Sequence, residues 1–140
     1  MRFAGPLLLL LVGTGCSVGE KSRQDRLMDE IEAHLTLPKG SLPLAKYARY
    51  YTDYGGRIHG AYTTEIERRP ADVGCEEMLA NGTSKDVPCS AVADLQPGHR
   101  RWVQFSDFPA VVAGGCRAIQ VMYNPSTRSI EYAGCLTPTY

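Results

Sequence analysis

Apolar residues recur at Leu27, Met28, Ile31 and Leu35, three and four apart, with charged residues between them. This spacing lines up one apolar stripe on a helix. Ahead of it, Ser22-Arg23-Gln24-Asp25 has the form of a capping box, with Ser22 placed to accept from the backbone and Asp25 at the third helical position. The pattern predicts a helix over 23–34, stopped by Pro38 and Gly40, that lays its stripe on a sheet. The period then shortens. Residues 46–52 and 57–66 are rich in Tyr, Thr and Ile and flank Asp53-Tyr54-Gly55-Gly56, which predicts a hairpin with a four-residue loop. In that register Tyr51 lies opposite Ile58, Arg49 opposite Gly60 and Tyr47 opposite Tyr62, an aromatic face. Leu44, Tyr47, Ala48 and Tyr51 also fit a helical spacing, which competes with the first strand.

Residues 69–98 have no clear period and are broken by Pro70, Gly74, Asn81-Gly82, Pro88 and Pro97-Gly98. They read as a long loop, a feature uncommon in small domains unless functional or stapled. Within it, Asn81-Gly82-Thr83 reads as a turn. A third strand is expected at 101–105 and a buried connection at 109–112. Residues 118–123 and 129–133 around Asn124-Pro125-Ser126-Thr127-Arg128 then predict a second hairpin. With Tyr123 opposite Ser129, Cys116 falls opposite Leu136, one step from Cys135, and a bulge at Gly114-Gly115 or Gly134 is needed for the sulfurs to meet.

The start of the chain follows neither period. Arg2 is followed by an unbroken apolar run over 7–12 and then Gly13-Thr14-Gly15-Cys16. A positive start, a short apolar run and small residues before a cut describe an export signal. The run is too short to span a bilayer, which takes ~20 residues. Val12-Gly13-Thr14-Gly15-Cys16 resembles the lipobox of bacterial lipoproteins, in which the cysteine is lipidated and becomes the mature N-terminus. Gly13 departs from the leucine of that pattern and leaves open an ordinary cut at a small-x-small site, giving a soluble secreted protein. The resemblance implies a signal over 1–15, Cys16 and a short tether over 16–21, and one domain over 22–140 on the periplasmic side of the envelope. Ser17 after the cysteine implies the outer membrane.

Charge changes the picture only by exclusion. Fifteen basic residues balance fifteen acidic ones, so no basic field exists to attract phosphate backbones, and nucleic acid is a poor partner. Four cysteines remain beyond Cys16. In an exported chain they imply two disulfides with three possible connectivities, of which the sequential one, Cys75 with Cys89 and Cys116 with Cys135, is expected. Each would close a loop of about fifteen to twenty residues, worth ~3 kcal/mol in the chain-entropy model. No Cys-x-x-Cys pair suggests zinc, and no cofactor is implied.

Catalytic motifs are not found. The Gly-x-Ser-x-Gly elbow, the His-Glu-x-x-His pair, the phosphate loop and the dinucleotide glycine pattern are missing, and His34, His59 and His99 are scattered. Three features remain as candidate chemistry. His99-Arg100-Arg101-Trp102, with Asp107 nearby, sets two guanidinium groups beside the only tryptophan and suits a carboxylate or phosphate; a solvated strand edge with Trp102 in the core weighs more. Asp72, Glu76 and Glu77 form an acidic cluster suited to a cation or to Arg68, Arg69 and Arg100, with solvated loop charge as the plainer account. Among the tyrosines, about half should be core, and Tyr50 and Tyr54 stand out as exposed contacts for a protein.

The stretch Leu37-Pro38-Lys39-Gly40, Pro43-Leu44 and Tyr47-Ala48-Arg49-Tyr50-Tyr51, with Gly114-Gly115-Cys116 and Tyr123-Asn124-Pro125-Ser126-Thr127, resembles small exported bacterial proteins of unknown function. The resemblance marks fold and disulfides and implies no activity. The expected fold is α+β: one N-terminal helix on an antiparallel sheet of four or five strands built from two hairpins and stapled by two disulfides. The expected role is a lipid-anchored, non-catalytic module for another envelope protein, working through the tyrosine-bearing hairpin or the stapled loop. The alternative is a small secreted or periplasmic enzyme or ligand-binding protein that recognises an anionic envelope component through His99, Arg100, Arg101 and Asp107.

Overall fold

Ser22 opens the structured chain. Its hydroxyl accepts from the Asp25 N–H at 3.1 Å and starts helix α1 at Arg23–His34, ended by an extended Leu35. The computed structural model describes residues 1, 21–69, 73–89, 91–111 and 113–136; the rest of the expected signal, Cys16 and Asp72 lie outside them. After a one-turn 3-10 helix at Leu44–Lys46, strands β1 (Ala48–Tyr54) and β2 (Arg57–Thr63) form the first hairpin. Strands β3 (Cys75–Met78) and β4 (Ser84–Val87) form a small ribbon, followed by β5 (Arg100–Trp102), β6 (Ala118–Asn124) and β7 (Ser129–Cys135).

The main sheet has the order β5-β1-β2-β6-β7. It is mixed, not purely antiparallel as expected, because β5 runs parallel to β1. The cause lies in the long connection after β2, which returns the chain to the start of β1. There Gly98 N–H donates to Tyr47 O and Arg49 N–H to His99 O, so β5 enters alongside β1 in the same direction.

The first hairpin turns on Gly55-Gly56 alone, both with positive φ (61° and 74°), rather than on four residues. Two consecutive positive φ values match the twist of paired strands, and two glycines reach them without strain. The register therefore moves by two: Tyr51 faces Gly60, Arg49 faces Tyr62 and Asp53 faces Ile58. A shift of two preserves the faces. The second hairpin pairs Asn124 with Ser129, and its bulge falls at Glu131, between Met122 and Tyr123 on the partner, not at a glycine.

One face of the sheet carries Tyr51, Tyr62, Ile58, Ile119, Val121 and Tyr123 against Met28 and Ile31 of α1, all buried. Gly60 sits beneath two of these rings. A Cβ there would meet Tyr62 Cε1 at 3.1 Å and Val121 Cβ at 3.3 Å. Gly60→Ala should thus cost about 1–3 kcal/mol by overpacking, read as a lower thermal midpoint. An unchanged midpoint would contradict this close stacking.

The other face is also covered. The segments before and after β5 cross it as a strap, with Ala93, Val111 and Ala113 packed on Ala48, Tyr50, Ala61 and Ala118. Two hollows of about 300 and 200 Å³ remain beneath the strap, adjoining at Ala110 and Val111. Two disulfides close the fold, Cys75–Cys89 and Cys116–Cys135, the sequential pairing.

Candidate functional site

The Arg100 guanidinium does not point to solvent as a ligand grip. It lies 2.6 Å from Asp29 and 3.4 Å from Glu32, both on α1. Register explains this. Arg100 lies beside Arg49 across the parallel pair, on the face that receives the helix. Glu32 accepts from the Tyr51 hydroxyl at 2.9 Å, and that hydroxyl lies 2.8 Å from the Tyr62 hydroxyl. The Arg49 Nε approaches Glu32 to 3.0 Å without the alignment of a hydrogen bond, while its Nη1 donates to Leu44 O at 3.1 Å. The result is a polar network between helix and sheet, buried at Arg49, Tyr51 and Tyr62 and open to solvent at Asp29. Burial pushes the Tyr51 and Tyr62 phenols far above their usual range, so both stay neutral and act as hydrogen-bonding groups. The hydrogen bonds from Lys21 and then Arg100 hold the Asp29 carboxyl below the usual range.

The other members of the quartet diverge. Arg101 reaches Asp94 at 3.1 Å, His99 is exposed, and Trp102 is half-buried against the core beside Tyr51. Asp107 lies exposed in the one-turn helix Phe105–Asp107. An anion grip was the lesser of the two readings of these residues; the geometry assigns Arg100 to the helix–sheet contact and packs Trp102 against the core. Among the described residues, no three His, Cys, Asp or Glu side chains gather as a metal-binding group.

Tyr50 corrects a second expectation. It is buried, not exposed, and its hydroxyl accepts from the Leu95 N–H at 2.6 Å. Alternation does turn it away from the helix, but the strap makes that side a second core. Tyr54, by contrast, is 55% exposed. Its ring stacks on Phe105 with centroids 4.0 Å apart and planes 13° apart, and His59 meets it edge-on at 6.1 Å. Phe105 is itself 53% exposed, and sequence reasoning missed it because it stands in no apolar period.

The stapled segment is not a loop throughout. Asn81 and Gly82 turn it back, with Leu79 N–H donating to Thr83 O, so β3 and β4 pair as a ribbon. Met78, 73% exposed, shares one face of this ribbon with Glu76, Asp86 and Ser84, while Val73 and Leu79 flank it, also exposed. Comparison of the chain with family models, curated proteins and solved structures finds no match. What the molecule does must follow from its own geometry. Two exposed apolar features qualify, the stapled ribbon and the Tyr54–Phe105 stack.

Proposed function

We propose that the mature chain is a lipid-anchored, non-catalytic binding module on the periplasmic side of a bacterial envelope, held in the outer membrane through Cys16. It presents its β3–β4 ribbon to another envelope protein. The observation that carries this reading is the ribbon itself: an exposed Met78 on a two-stranded element held by Cys75–Cys89, flanked by exposed Val73 and Leu79. Two strands alone are marginal in water, and here the disulfide substitutes for a core. Exposed apolar side chains on such an element contribute little to folding and suit recognition.

Charge narrows the partner. Glu77 opposes Lys85, but Glu76 lies directly opposite Asp86. Like charges across a pair repel, and a basic group brought between them relieves the repulsion. The complementary surface is therefore apolar with a lysine or arginine at its centre.

A photo-crosslinking residue at position 78 tests this in intact cells. The expected result is one higher-mass adduct that weakens when Asp86→Lys reverses the charge beside it. Capture of nothing beyond the monomer would sink the proposal, as would an adduct indifferent to Asp86→Lys.

A further inference from the structure

Residues 76–86 are exposed throughout, so the β3–β4 ribbon holds its shape without burying a core. At its closed end the Asn81 Oδ1 accepts from the Thr83 N–H at 3.0 Å and from the Thr83 hydroxyl at 2.7 Å. At its open end Cys75 lies opposite Val87, and the bond to Cys89 ties the two strands together. Between the ends Glu76 faces Asp86, and their like charges push the strands apart. A two-stranded ribbon is marginal in water, so this one depends on its disulfide.

The two disulfides differ in their surroundings. Cys135 pairs across the sheet with the buried Ile119, and the Cys116 sulfur lies 3.4 Å from the Lys39 carbonyl oxygen, where the chain passes from helix to sheet. Both of these cysteines are half-buried, whereas Cys89 is exposed beyond the end of β4. Thiol–disulfide exchange needs a thiolate to reach one sulfur of the bond, so access singles out Cys89.

We propose that Cys75–Cys89 is a thiol-exchange site at which a dithiol reductant opens the ribbon and releases its partner. This inference rests on the ribbon reading above and adds its control. One thiolate of the reductant bonds to the Cys89 sulfur, the Cys75–Cys89 bond breaks, and Cys75 leaves as a thiolate that takes up a proton. The second thiol of the reductant gives up its proton and bonds to the first, which breaks the mixed disulfide and frees Cys89 to be protonated in turn. Two electrons and two protons pass to the protein, and the reductant leaves as a disulfide. Without its staple the ribbon opens under the Glu76–Asp86 repulsion, and the face that groups Met78 with these carboxylates is lost. The five-stranded sheet, separate from the ribbon and tied by Cys116–Cys135, is unaffected.

The test takes the oxidised full chain through graded dithiothreitol, quenches it with an alkylating agent and reads each cysteine by peptide mass. Cys75 and Cys89 should be alkylated at roughly a tenth of the dithiothreitol that opens Cys116–Cys135, with the main thermal transition unmoved. With 2-mercaptoethanol, a neutral monothiol that cannot complete the second step, the adduct should sit on Cys89. The crosslink from position 78 should be lost when Cys75→Ala and Cys89→Ala remove the staple. Both disulfides opening together, Cys116–Cys135 opening first, or an adduct on Cys75 would overturn the exchange site alone. A crosslink that survives loss of the staple would overturn the switch and leave the ribbon reading standing. No crosslink from the oxidised, stapled chain would remove the ribbon reading and this inference together.

Discussion

Glu32→Ala should lower the melting temperature by roughly 10–20 °C, since removing one partner of a buried ion pair costs about 3–5 kcal/mol and each kcal/mol shifts a domain of this size by a few degrees. The cause is what the carboxylate holds. Arg49 is buried, with Glu32 as its carboxylate partner, and Arg100 and the Tyr51 hydroxyl converge on the same group. Without it, the buried Arg49 guanidinium loses its carboxylate and the Tyr51 hydroxyl loses an acceptor between helix and sheet, the costly half of the asymmetry in burying polar groups. Glu32→Gln should lose less, because an amide still accepts from Tyr51. Asp29→Ala should lose far less, because that carboxylate is exposed and its pairs are screened by solvent. Thermal unfolding of the three variants decides the matter. Equal losses for Glu32→Ala and Asp29→Ala would show that the network carries no special weight.

Removing the Cys116–Cys135 disulfide should cost about 3 kcal/mol, the chain-entropy value for a loop of this length. The bond ties the open end of the β6–β7 hairpin to the turn that carries Cys116, and it lies beside Gly40 and the Lys39 carbonyl, which lead the chain from helix to sheet. Its loss should appear in the global unfolding of the five-stranded sheet. The Cys75–Cys89 bond should behave differently, because β3 and β4 form a separate two-stranded sheet. Replacing both of its cysteines with alanine should leave the main transition nearly in place while amide exchange in residues 75–87 rises sharply. Calorimetry with hydrogen exchange separates the two cases. A matching drop in the main transition for both pairs would mean that the ribbon and the sheet unfold as one unit.

The helix was legible because its cap, its apolar spacing and its end are all local signals, and Ser22, Met28 and Ile31 act as that pattern requires. The strands of the two hairpins were legible for the same reason, and so was the sequential pairing of cysteines, whereas β3 and β4 lie in what reads as a loop. Registers were not. Gly55-Gly56 supports a two-residue turn as readily as a longer one, and the choice depends on which cross-strand rows pack, with Gly60 making room for Tyr51 and Tyr62. The parallel β5 depends on where a long irregular connection returns, which no local pattern records. Tyr50 shows the limit most plainly. Alternation places it away from the helix, but only the strap that carries Ala93, Leu95, Val111 and Ala113 decides that this side is interior.

The candidate site followed the same division. Tyr54 was legible as an exposed aromatic at a turn, whereas its partner Phe105 arrives from fifty residues away in the chain. Arg100 was legible as a charge beside the tryptophan, but its carboxylate partners lie on a helix some seventy residues earlier. The acidic pair Glu76 and Asp86 becomes a feature only once β3 and β4 align.

The intact mass of the protein purified from its native bacterial membrane, measured without reduction, tests the central claim most directly. The account predicts a chain beginning at Cys16 that carries a diacylglyceryl group, with the four remaining cysteines oxidised. An unmodified chain cut at another position would contradict it and make the protein a soluble secreted one.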